Sequence, residues 1–360
     1  MHARRLLTVG LTVASAVAIA LPAIGAQAGS DKNSFRQTNL ESDIPGMAAF
    51  TDPDLRNPWG ISASATSPMW VSDNGAGVTT LYRGDGSKVP LTVVIPPAGA
   101  SSSPTGTPTG TVFNANAGAF RGDRFLFATE DGAIFGWQPA YGVTAVIGKD
   151  NSPAGAVYKG LAIDNSSSPH LYAANFRAGT IDVFDSGYSQ VTLAGAFSDP
   201  KIPAGYAPFN VQKLGGVLYV TYAMQDANRH DDVAGRGHGF VDAFDVNGSL
   251  LGRLVTHGQL DSPWGLAIAP PSFGRFAGDL LVGNFGDGRI NAFTPDKGNF
   301  RGELRDVVTG APITIDGLWA LRVGNGGGTA TSGDPNAVYF TAGINGEQDG
   351  LFGTITNAGS

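Results

Sequence analysis

The chain repeats itself with a period near fifty residues, and a repeat of that length narrows the fold to a few closed or stacked architectures. Six segments align, opening at Met69, Phe125, Leu171, Leu218, Leu280 and Val338. Each reads as an apolar strand, a polar turn containing glycine, and a second strand rich in aromatic and branched residues. Alternation such as Ile181-Asp-Val-Phe and Val241-Asp-Ala-Phe is the period-two signature of a half-buried strand. A second motif precedes each hairpin. Asn57-Pro-Trp-Gly-Ile-Ser and Ser262-Pro-Trp-Gly-Leu-Ala are plain copies, and weaker ones begin at Val112, Tyr158, Pro208 and Leu318. The aligned position is Trp59, Phe113, Lys159, Phe209, Trp264 and Trp319, at intervals of 54, 46, 50, 55 and 55. A further apolar segment follows the hairpins, as in Val89–Ile95 and Val191–Phe197.

Four strands per unit at this period predict an all-β, six-bladed β-propeller. The blades are expected near residues 57–97, 110–150, 156–200, 206–258, 261–310 and 315–357, all in one domain over 29–360. An open ring would expose a sheet edge. Residues 35–50 hold the spare strand, so Phe35–Ser42 is expected to pair with the C-terminal blade and close the ring. The low-complexity stretch Ala98–Gly110 is expected to be a mobile loop between blades 1 and 2. Composition agrees with many short elements around a real core: 52 Gly and 22 Pro supply turns, and the apolar content is 42%. With no cysteine, a disulfide scaffold, a thiolate metal site and a Cys nucleophile are excluded.

Residues 1–28 read as an export signal. Arg4 and Arg5 precede an apolar run from Leu6 to Gly25, and Ala26-Gln27-Ala28 supplies a small-residue cleavage site. Cleavage is expected after Ala28, giving a secreted, extracellular monomer with no stable membrane insertion. The net charge of −7 argues against nucleic acid as a partner.

The motif pair Asn57-Pro-Trp-Gly and following hairpin resembles NHL-type and gluconolactonase-like six-bladed propellers. Over residues 37–357 the chain is also similar to a family of secreted bacterial proteins without a settled activity. The likeness is carried by Asn39-Leu-Glu-Ser-Asp-Ile-Pro-Gly, by Asp52-Pro-Asp-Leu-Arg-Asn-Pro-Trp-Gly-Ile, and by the stretch His230-Asp-Asp-Val-Ala-Gly-Arg-Gly-His in blade 4. The gluconolactonase resemblance implies a channel cation, Ca²⁺ or Mg²⁺, held by oxygen ligands. The matching positions here are Asn114, Asn210 and Asp316. The family's glutamate at the start of the first blade is replaced by Asn57, which departs from the lactonase pattern.

In a propeller the turn inside each hairpin and the start of each first strand open on one face, around the central channel, and ligands gather there. The turns supply Asp73, Asn74, Glu130, Asp131, Asn175, Asn284, Asp287, Asn345, Glu347 and Asp349. Asn and Asp in such turns ordinarily serve the backbone. Blade 4 breaks the pattern: its turn, Gln225–His238, is longer and carries Asp226, Arg229, His230, Asp231, Asp232, Arg236 and His238. His230, Asp231, Asp232 and His238 are the candidate catalytic residues, because an imidazole beside a carboxylate can move protons near neutral pH. The same loop would otherwise be a solvated, salt-bridged excursion. Trp59, Lys159, Trp264 and Trp319 are candidate ligand contacts if they face the channel, and blade packing if they do not. No G-x-S-x-G elbow or phosphate-binding loop occurs. The expected function is recognition or scaffolding, with the loop face taking an extracellular glycan, small molecule or protein. The alternative is a metal-dependent hydrolase or lyase.

Overall fold

The computed structural model describes residues 34–327, 331 and 333–359; residues 1–28, expected from the sequence to be an export signal, lie outside the described residues. Six antiparallel sheets form the six blades of a β-propeller. Their first strands are Pro58–Ser62, Pro108–Phe113, Tyr158–Asp164, Tyr206–Leu214, Pro263–Ile268 and Leu318–Val323. Within blades 1–5, strands neighbour one another in sequence order. Among the described residues no helix is long and apolar enough to cross a membrane.

The ring closes as its sequence predicts. Ser34–Ser42 pairs antiparallel with Leu351–Asn357, the last strand of blade 6, and so supplies that blade's outer strand. The same segment also runs parallel to Arg305–Asp306, which ties it to the end of blade 5. Phe35 is fully buried, 5.1 Å from the ring of Phe273 and 6.0 Å from that of Phe276. An apolar side chain sunk in the neighbouring blade thus holds the closure that no disulfide provides.

Three expectations need correction. Alternation holds in part at Thr180–Phe184, where Asp182 is half-buried between buried Ile181 and Val183, but fails in blade 4, whose inner strand is sandwiched between neighbouring blades. Phe240–Phe244 is buried along its whole length, and its Asp242 is fully buried beside Arg253. The loop before blade 2 is shorter and better tied than expected. Pro108–Phe113 is already strand, and the amides of Ala98, Gly99 and Ala100 donate to Asp131, Asp150 and Ser152.

The third correction concerns blade 2's alignment. Pro58, Pro108, Tyr158, Pro263 and Leu318 pair with the last residues of their second strands, Pro208 pairs with Tyr222 two residues short of that end, and a register shift follows directly after each of the six. The structural counterpart of Trp59 is therefore Thr109, not Phe113, and Gly110, not Asn114, follows it. Crowding explains the glycine. A Cβ on Gly110 would stand 2.5 Å from Leu161 N, and one on Gly60 would stand 2.6 Å from Thr109 O. Each first strand abuts the bulge of the next, so small residues ring the axis.

Candidate functional site

Because Pro58 pairs with Asp73 and Tyr158 with Asn175, first-strand starts and hairpin turns do share one face. Lys159 stands in the aromatic column at this face, and a lysine there needs a counter-charge. It finds two. Its Nζ donates to Glu130 Oε1 in the blade-2 turn and lies 3.4 Å from Asp231 Oδ1 in the blade-4 loop. The ammonium also sits 5.0 Å from the centre of the Trp59 ring, within cation–π range. Its side chain is only 2% exposed, so the ion pair with Glu130 is an interior one.

The long loop of blade 4 presents the next layer. Asp226 Oδ1 accepts from the backbone amides of His230 at 2.8 Å and Asp231 at 3.3 Å, curling the loop, while Arg229 takes a left-handed φ of 55°. The curl brings His230 Nδ1 within 2.8 Å of Asp231 Oδ1. Asp231 Oδ1 thus faces both His230 and Lys159, while Oδ2 receives no hydrogen bond from the described residues and the side chain is 67% exposed. Asp232 lies deeper, with Oδ2 buried and unpartnered.

Blades 6 and 1 close the ring of acids. Glu347 Oε2 accepts from Asn57 Nδ2 at 2.7 Å, and Asn57 Oδ1 accepts from Trp319 Nε1 at 3.1 Å. Glu347 itself is held at φ 66°, a conformation that costs a non-glycine residue energy. Asn74 in the blade-1 turn donates to Glu130 Oε2 at 2.8 Å.

These contacts set the protonation states. Burial opposes the Lys159 ammonium, yet the charge of Glu130, aided by Asp231 and Asp232, outweighs it and raises the lysine's pKa. The hydrogen bond from His230 pulls Asp231 down to about 2, and the same bond raises His230. Burial raises Glu347, with the nearby charge of Glu130 adding to it against the bond from Asn57. Asp232 is also raised, chiefly by burial. The mouth therefore holds one exposed carboxylate, Asp231, held well below its ordinary range, beside a histidine and two carboxyls, Glu347 and Asp232, each raised above its ordinary value. Glu130, His230 and Asp231 each offer a ligand atom, all within 4.8 Å of one another.

The tryptophans lie beneath. Trp59 and Trp319 stack with ring centres 3.4 Å apart, Phe285 stacks on Trp319 at 4.0 Å, and Trp264 meets both tryptophans edge-on. Trp59, Trp264 and Trp319 are 2%, 4% and 1% exposed, so their rings cover one another and plug the channel instead of forming an open platform.

The other residues singled out in the sequence lie apart. His238 turns its Nδ1 to Val233 O at 2.8 Å, away from His230. Asn114 lies at the far end of its strand, donating to Ala119 O and Asp123 O. Asn210 donates to Trp264 O at 2.6 Å. Asp316 is exposed and accepts from the amide of Asn345 at 2.9 Å. Glu130 and Glu347 are visible in the sequence only as turn residues. The signal for Glu130 is Lys159, since a buried lysine predicts a partner carboxylate.

No family model matches the chain. Among solved structures it is similar to a streptogramin B lyase (12% identical, TM-score 0.52, covering 89% of this chain and 97% of that one). It is likewise similar to the soluble aldose sugar dehydrogenase of Escherichia coli in its apo form (12% identical, TM-score 0.52, covering 90% and 100%). Identities this low speak to the fold alone, and both likenesses agree with a six-bladed propeller. Sequence relatives are nearer. Protein R648 of Acanthamoeba polyphaga mimivirus is 33% identical over 328 residues, 88% of this chain and 78% of the relative. Protein L690 of the same virus is 33% identical over 324 residues, covering 86% and 82%. At that identity and coverage, the chain belongs to the same family as the mimivirus proteins R648 and L690, and shares with them a match that runs through nearly the whole propeller.

Proposed function

We propose that this is an exported binding protein, and that it takes a small cationic ligand at the acidic mouth of the loop face. The observation that carries the reading is the pinned, exposed Asp231 carboxylate. His230 and Lys159 fix one oxygen and leave the other open, with a ligand atom of Glu130 within 4.8 Å. A ligand ammonium there would meet an ordered carboxylate without first having to order it, which is the advantage of a preorganised site. Export rests on the sequence of residues 4–28, and the ligand is accordingly an extracellular one.

A second reading is favoured by one geometric fact, the approach of Glu130, His230 and Asp231 ligand atoms to within 4.8 Å. A divalent cation there would give the hydrolase or lyase alternative its Lewis acid. An imidazole in the set suits a transition metal better than Ca²⁺ or Mg²⁺. Lys159 argues against it, because its ammonium already stands against two of the three ligands.

The two readings part in one experiment. Melting temperature and calorimetry of the purified protein are followed with spermidine, Mn²⁺ and Zn²⁺, with and without chelator, in wild type and Asp231→Asn. Saturable binding of spermidine, lost in the variant, supports the first reading. Metal binding with a melt that chelator lowers supports the second, and no response to either class of cation sinks both.

A further inference from the structure

The tryptophan plug divides the channel, and the part beyond it is a cavity of about 420 Å³ opening on the opposite face. Its mouth is formed by the turns between first and second strands, including Asn165 and Gly216. Arg322, in the first strand of blade 6, lines this cavity. Its Nη2 donates to Ala63 O at 3.1 Å, its Nε is buried without a partner, and among the described residues no carboxylate lies within ion-pair distance. The other half-buried arginines of the described residues are better satisfied: Arg83 donates to Ser87 Oγ and Lys88 O. Arg253 has Asp199 and Asp242, and the Lys213 ammonium at the cavity's rim is taken by Asp164. Desolvation with nothing to offset it draws the Arg322 pKa down to about 10.

A half-buried guanidinium whose Nε is sealed from water and which has no counter-ion is costly to keep, and an anion in the cavity would complete it. The walls describe the remainder of that anion. Ile61, Leu161 and Leu321 are in the wall but nearly buried, and Asn165, Gln212 and a Ser62–Thr111 hydroxyl pair, 3.0 Å apart, line it with them, so the surface is mixed and mostly polar. An inorganic ion would leave most of this volume unused. We propose that the cavity binds a small organic acid bearing one carboxylate, with Arg322 as its counter-ion. The site is separate from the acidic mouth and stands or falls without it.

The test uses the full chain in chloride buffer, with hexanoate, benzoate, inorganic sulfate and neutral hexanol as probes. Hexanoate and benzoate are expected to raise the melting temperature saturably and to bind by calorimetry, while hexanol has no effect. Arg322→Met is expected to weaken both acids at least tenfold, and Arg322→Lys to weaken them less. Without ligand, Arg322→Met should melt at or above the wild-type temperature, because an uncompensated charge has been removed. Four results would overturn the proposal. A wild-type melt unmoved by either acid is the first, and both acids binding Arg322→Met unchanged is the second. Sulfate matching the acids would show an adventitious oxyanion hole only. A sharp drop in the Arg322→Met melting temperature would assign the guanidinium to a structural tie with Ala63.

Discussion

Lys159 Nζ lies 3.4 Å from Asp231 Oδ1 while bonded to Glu130, so a single buried ammonium joins blades 2, 3 and 4. The two carboxylates differ in what they owe to it. Glu130 is 12% exposed and needs the cation, whereas Asp231 is 67% exposed and is merely positioned by it. The arrangement separates stability from recognition within one network: the inner pair holds the ring, and the outer carboxylate faces solvent.

That division predicts unequal costs. Lys159→Met strands the Glu130 charge in the interior and should destabilise the protein by about 3–5 kcal/mol, the range for breaking a buried pair from one side. Asp231→Asn should change stability by less than about 1 kcal/mol, as for exposed ion pairs. Urea denaturation of both variants decides the matter. Equal losses would mean that Lys159 is not the interior anchor described here.

His230 supplies a pH signature. Its hydrogen bond to Asp231 raises its pKa above the ordinary 6.5. A raised histidine stabilises the fold fully below the unfolded value of 6.5, and that contribution is lost as pH climbs through the folded value. The side chain is 37% exposed, so solvent screens the effect and the contribution is small. The titration itself is the sharper readout. By NMR, Asp231→Asn should move the His230 midpoint down toward 6.5, and an unmoved midpoint would contradict the pairing.

The glycine ring makes a steric prediction. A Cβ on Gly110 would lie 2.5 Å from the backbone nitrogen of Leu161, and backbone cannot rotate away as a side chain can. Gly110→Ala should therefore cost about 2 kcal/mol or more, at the upper end of overpacking losses. Gly252, in the outer strand of blade 4, has nothing within 4 Å of such a Cβ. Gly252→Ala should be nearly neutral. If thermal melts showed the two variants alike, the tight approach of blades 2 and 3 would be wrong.

How far the sequence carries depends on what each residue answers to. Blade number and closure were legible because both rest on local pattern: strand–turn–strand units recur, and Phe35–Ser42 has no partner within its own neighbourhood. Blade 2 misled because its motif is Pro108-Thr-Gly-Thr. The threonine, Thr109, replaces the aromatic, and Phe113 four residues on imitates it. Of the blade-4 loop, His230 and Asp231 meet the channel network and His238 does not, a difference set by the curl at Asp226 that spacing cannot express. Glu130 and Glu347 look like ordinary turn residues until the ring brings them beside Lys159 and Asn57. The tryptophans show the converse: their recurrence is plain, yet only the stacked rings reveal that they plug the channel.

The closing strand carries a last consequence. Glu41 is 1% exposed, its Oε1 has no partner, and burial, reinforced by Asp52, raises its pKa from 4.5 to about 7. For an acid whose folded pKa is raised, the native state binds more protons than the unfolded chain between the two values, so stability falls as pH rises through that window. The cost is absent below pH 4.5, accumulates up to pH 7 and is constant above it. Glu41→Gln removes the ionisation while keeping the shape. Its advantage over wild type should be near zero at pH 4.5 and approach a limit of roughly 3 kcal/mol by pH 8, at about 1.4 kcal/mol per pKa unit. Urea denaturation of both proteins at pH 4.5, 6 and 8 measures the difference. A gap that stays the same at all three pH values would show that Glu41 does not titrate against the closure of the ring.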